Sequence, residues 1–127
     1  MPHYLYQVAY TPQAWATQIK NPADRIEAVR PVIEKLGGKV VCGYLAFGEY
    51  DIIAIAEMPN NTAAAGFAID AAAGGAVRAI KTTPLMTTRE GIQALKAAAK
   101  APYQPPTART KVTRGSPARS TRRARSR

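Results

Sequence analysis

Apolar and polar positions alternate with two periods along the first hundred residues, and the switches between them mark out the elements. Tyr-Leu-Tyr-Gln-Val-Ala-Tyr at 4–10 is aromatic and β-branched and predicts a strand, with Tyr4, Tyr6, Val8 and Tyr10 on one side and Leu5, Gln7 and Ala9 on the other. Thr11-Pro12 then places a proline where the first turn of a helix tolerates one, which predicts a short helix. Asn21-Pro22 repeats that signal as a cap and a first helical residue. The helix it predicts, about 22–36, carries Ile26, Val29, Val32 (or Ile33) and Leu36 on one stripe. Pro31 interrupts that stripe and removes a backbone donor, so a kink or break is expected near Ala28 to Arg30. Gly37-Gly38 stops the helix.

Residues 39–47 and 51–58 read as two apolar strands joined by the hairpin Gly48-Glu49-Tyr50-Asp51. Pro59-Asn60-Asn61-Thr62 is a breaker followed by capping residues, and the alanine-rich stretch 62–73 predicts a second main helix that Gly74-Gly75 ends. Residues 76–85 predict a fourth strand closed by Pro84. From Thr88 to about 100 an alanine-rich helix carries Ile92, Leu95 and Ala99 as its stripe. The order β-α-β-β-α-β with a trailing helix predicts an α+β fold of the ferredoxin-like plan, an antiparallel sheet with helices on one face. In that plan the fourth strand neighbours the first, and the first neighbours the third. A solvated second face would alternate to polar residues. Here Val40, Cys42, Tyr44 and Ala46 alternate with Val41, Gly43, Leu45 and Phe47, and Ile53 and Ile55 with Ile52, Ala54 and Ala56. Both faces are apolar, which predicts a homo-oligomer, a dimer or higher, packed sheet to sheet. The alternative cover is the C-terminal helix folded across that face.

Charge separates a folded region from a tail. The chain carries a net charge of +10, yet residues 1–101 hold ten Lys/Arg against eight Asp/Glu. Residues 102–127 hold eight basic residues and no acid. Residues 1–101 are therefore expected to form one domain, and 102–127, rich in Pro, Ser, Thr and Arg, a disordered tail. Arg109, Lys111, Arg114, Arg119, Arg122, Arg123, Arg125 and Arg127 suit nucleic acid or another polyanion. Cys42 is the one cysteine, so no intramolecular disulfide or all-cysteine metal site can form. There is one histidine, His3, and no zinc spacing, nucleophile elbow or phosphate-cradling glycine loop. No apolar run approaches the length of a membrane span, and no leader pattern precedes the first strand, so a cytoplasmic protein with no membrane association is expected.

The stretch Phe47-Gly48-Glu49-Tyr50-Asp51-Ile52, with Val77-Arg78 and Thr82-Thr83 in the last strand, resembles the GYD domain family, small bacterial and archaeal proteins named for a Gly-x-Tyr-Asp-like motif. The resemblance covers about residues 3–90. Asn60-Asn61 depart from it, standing where acidic residues are common. It implies a ferredoxin-like fold and an oligomer, and carries no particular reaction or cofactor with it.

Three functional readings follow. The first is a ligand- or partner-binding module. The second is an enzyme acting on a small organic molecule in an inter-sheet pocket, with no catalytic residue assigned. The third is polyanion association through the tail. The ligand-binding candidates are Tyr6, Tyr44, Glu49, Tyr50, Asp51 and Arg78. Glycine is expected to give the hairpin a positive-φ position, and Asp51 to bond its own turn. Alternatively, Glu49 and Asp51 would face one way as polar groups at a pocket mouth. Arg78, a long cation within an apolar strand, is expected to pair with Asp51, with Glu57 or with a bound anion. Tyr4, Tyr6, Tyr10 and Tyr44 would line a pocket between sheets, or pack as aromatic core. Trp15 and Phe67 are expected in the core.

Overall fold

A computed structural model of the chain describes residues 1–107. The basic positions from Arg109 to Arg127 lie outside the described residues. Two compact units divide at Arg89 and Glu90. The first holds four strands, β1 (His3–Tyr10), β2 (Lys39–Leu45), β3 (Ile52–Glu57) and β4 (Val77–Leu85). It also holds three helices, α1 (Pro12–Lys20), α2 (Arg25–Lys35) and α3 (Asn61–Ala73). The second unit contains most of α4 (Thr88–Ala99), an amphipathic helix whose Ile92 and Leu95 are exposed. Among the described residues no helix is long and apolar enough to cross a membrane.

The strands form one antiparallel sheet in the order β2-β3-β1-β4. β1 lies between β3 and β4, as the sequence order predicts. Directly opposed residues share a face, so the register sorts the side chains. Tyr4, Tyr6 and Val8 stand opposite Ala56, Ala54 and Ile52, and all six are buried under the helices. Leu5 and Gln7 stand opposite Ile55 and Ile53 on the other face, joined there by Cys42 and Tyr44 of β2. These are half-buried, apart from the exposed Tyr44. A register shift between Val40 and Cys42 resets β2, and another between Ala9 and Tyr10 ends regular pairing of β1 with β4.

The helices cover the sheet unevenly. α2 lies against β2 and α3 against β4, the two edge strands, and α1 lies against β1. Two buried clusters result. One gathers Tyr4, Tyr6, Ile33, Val40, Met58 and Phe67 with neighbouring alanines; the other gathers Val8, Tyr10 and Ile52, with Trp15 and Ile26 packed against it. Phe67 meets Tyr6 edge-on at 5.0 Å between ring centroids, and Trp15 meets Tyr10 in the same way at 5.4 Å. Of the two aromatics expected in the core, Phe67 is buried there, whereas Trp15 is half-buried and packs against the edge of the second cluster.

Local chemistry explains the boundaries that differ from expectation. α2 begins at Arg25, three residues later than Asn21-Pro22 suggests, because the Asp24 carboxylate caps it by accepting from the Ile26 and Glu27 N–H groups. Asn21 is the C-cap of α1, its N–H donating to the Thr17 carbonyl. Pro31 sits inside a continuous α2, exposed on the side away from the core. Gly37 ends α2 at φ +89°, a conformation that strains any residue with a Cβ. Gly48 has no such role: its φ is not positive, and a Cβ placed there would meet no atom within 4 Å.

Candidate functional site

The loop between β2 and β3 is a clamp on the end of β1. Asp51 Oδ2 accepts from the Tyr10 N–H at 2.9 Å, the Asp51 N–H donates to the Val8 carbonyl at 2.7 Å, and the Ala46 N–H donates to the Asp51 carbonyl at 2.7 Å. The Asp51 carboxylate therefore bonds a strand 41 residues away and not its own turn: pairing of β1 with β3 ends at Val8 and Ile52, and the carboxylate takes up the Tyr10 N–H just beyond that point. Glu49 is exposed while Asp51 turns inward, so the two acids do not act together. Tyr50 is half-buried, and the neighbouring Phe47 is fully exposed.

Arg78 is exposed on β4 and makes no ion pair among the described residues. The expected pairing with Asp51 or Glu57 does not form. Antiparallel register puts Arg78 at the Tyr10 end of β1 and Glu57 at the His3 end, about 20 Å away at ~3.3 Å per residue. Glu57 instead approaches His3 at 3.8 Å. Asp51 lies beyond β1 from Arg78 and is held by backbone donors.

The tyrosines divide between the two faces. Tyr6 is buried on the helix side and its hydroxyl donates to the Ala64 carbonyl at 2.8 Å; Tyr44 is exposed opposite Ile53 on the other side. They cannot line one pocket within a single chain. Tyr4 donates to Asn61 Oδ1 at 2.6 Å, and Asn60 Oδ1 accepts from the Ala63 N–H. The two asparagines thus fasten the start of α3. Burial pushes the Tyr6 phenol up to about 12, with Tyr4 adding to the shift. Burial also raises Tyr10, an effect the Arg25 guanidinium beside it partly offsets.

A cavity of about 290 Å³ lies on the helix side, between α2 and α3 and over the central strands. Its floor includes Tyr6, Val8, Ile52 and Ala54; its walls are Ile26, Val29 and Ile33 of α2 and Phe67 and Ala71 of α3. Both buried clusters contribute, so the cavity occupies the space where they fail to merge. Two features open it. The helices sit over opposite edges of the sheet, and the surfaces facing the gap, Ala54, Ala71, Gly74 and Ala76, are small. Gly43 lets α2 settle onto β2, since a Cβ there would collide with the Ile26 side chain. The residues lining the cavity that carry polar groups are Tyr6, Tyr10, Arg25 and Asp70. Sequence reasoning named both tyrosines but not Arg25 or Asp70, whose position depends on helix placement and has no local signature. A second, open groove of about 720 Å³ runs along β2 beside Trp15, Ile19 and Ile26. Among the described residues no group of three or more His, Cys, Asp and Glu side chains is placed to hold a metal ion.

Fold and cavity define a small α+β protein, an antiparallel sheet layered on one side by helices. The GYD domain model matches residues 4–95, and the chain belongs to the GYD domain family. Neither curated proteins nor solved structures give a significant match.

Proposed function

We propose that the protein is a homo-oligomeric binding module on a ferredoxin-like βαββαβ scaffold, assembled through the sheet face opposite α2 and α3. One observation carries this reading: that face presents Leu5, Cys42, Tyr44, Ile53 and Ile55 across three strands, with Gln7 the polar residue among them. A second copy would cover it by sheet-to-sheet packing, the economical arrangement for a self-complementary surface. The lone Cys42 accords with a cytoplasmic setting. A second reading, polyanion association, is supported by the eight basic residues of the tail and is independent of the first.

Light scattering on the full chain tests the assembly. The expected mass is a multiple of 13.6 kDa, and a variant with both Ile53→Lys and Ile55→Lys is expected to fall to one chain with its circular dichroism kept. A wild-type mass of 13.6 kDa would remove the reading.

A further inference from the structure

We propose that the cavity between α2 and α3 binds a small apolar monocarboxylate, its chain lying over Val8, Ile52 and Ala54 and its carboxylate at Arg25 and the Tyr10 hydroxyl. This deepens the binding-module reading and rests on it for the protein's role, but not on the assembly of the sheet faces.

Size and lining set the body of the ligand. A cavity of about 290 Å³ is roughly twice the ~150 Å³ that admits benzene in an engineered apolar core, so a chain of about eight carbons fits. Its walls are aliphatic and aromatic, with few polar groups, the usual composition of a site for such a molecule. The void also has a structural origin. The alanines facing the gap, Ala71 of α3 and Ala54 of β3, leave volume that Leu or Ile at the same positions would fill.

The head group follows from the donors. Among the described residues Arg25 has no ion-pair partner, because Asp24 is occupied capping α2 and Glu27 holds Arg30 at 2.7 Å. A guanidinium presents a planar fork that matches a carboxylate. Its neighbour, the Tyr10 hydroxyl, lies within hydrogen-bond reach of that guanidinium and, as a phenol, is protonated at neutral pH. It can therefore donate to the same carboxylate. Asp70, exposed on α3, also lines the cavity and disfavours an anion there; replacing it removes that repulsion.

Isothermal titration of the full chain with octanoate, octan-1-ol and octylamine tests the proposal. One octanoate per chain is expected, binding at least about tenfold more tightly than the other two. Arg25→Gln should bring octanoate down to the level of the alcohol, and Asp70→Asn should leave octanoate binding equal or tighter. Ala71→Leu should abolish binding of all three; Ala76→Leu, at the exposed lip, does the same should the first variant fail to fold. The proposal is overturned if wild-type protein does not take up octanoate, or if octylamine binds best. It also fails if either leucine variant, folded, binds as before. Light scattering on the same samples keeps the outcomes separate: a monomer that binds octanoate sinks only the assembly, and an oligomer that does not sinks only the cavity.

Discussion

Tyr6 carries a polar atom into the middle of the core, and its surroundings fix what that costs. Only 2% of the residue is exposed, and its hydroxyl has one partner, the Ala64 carbonyl. Removing the oxygen in Tyr6→Phe is expected to destabilise the fold by about 1 kcal/mol at neutral pH, the net worth of such a bond. The same residue predicts an alkaline limb. In the unfolded chain the phenol ionises near 10, whereas in the folded protein it does so at about 12. Between those values the unfolded state binds fewer protons, so stability falls as pH rises. The contribution is fully present below pH 10 and is lost on approaching 12, to a total of about 2–3 kcal/mol. Urea melts of both proteins across pH 9 to 12 check this: the wild type should lose its advantage over Tyr6→Phe and then fall below it. Parallel curves for the two would show that the Tyr6 phenol ionises alike in both states.

The β2–β3 connection shows how an element can be legible while its chemistry is not. Alternation of apolar residues locates both strands within a residue or two, and the two glycine pairs end α2 and α3 as expected. What Gly48, Glu49 and Asp51 do depends on the end of β1, some forty positions earlier, and no local pattern reports it. The reading of the Asp51 side chain as self-bonded in its turn fails because the end of β1, past its last pair with β3, offers it the Tyr10 N–H. The start of α2 is different: Asp24 followed three residues later by Glu27 is a capping signal present in the sequence, but Asn21-Pro22 competes with it. Arg25 and Asp70 were illegible for a third reason, since a gap between helices exists only once both have docked. The loop's division of labour can be measured. Asp51→Ala leaves the half-buried Tyr10 N–H unsatisfied and should cost about 1–3 kcal/mol in chemical denaturation. Gly48→Ala should change stability by less than about 0.5 kcal/mol, because the position is open and its φ suits any residue. A costly Gly48→Ala beside a neutral Asp51→Ala would invert this assignment.

At the scale of the whole chain, positive charge is concentrated in residues 102–127 of the sequence. The first 101 residues are close to neutral, whereas the eight basic residues after them are seven Arg and one Lys with no acid between. The proposed polyanion association would therefore belong to the tail and should be separable from folding, assembly and the cavity. Removing residues 102–127 is expected to leave thermal unfolding and octanoate titration unchanged while abolishing retention on duplex DNA. With the tail present, each phosphate neutralised releases counterions, so affinity should fall linearly in a log–log plot against salt. The slope reaches about −6 to −7 if all eight charges engage. Tyr103 is the one aromatic in the tail, so base stacking adds little and binding should be nearly independent of sequence. The proposed assembly would act as a multiplier: several tails on one particle would raise avidity without any new contact. The monomeric Ile53→Lys, Ile55→Lys variant should accordingly bind DNA more weakly than wild type, although it gains two positive charges. Equal retention of the truncated and full-length chains would remove the tail from the account and assign any DNA binding to the folded domain.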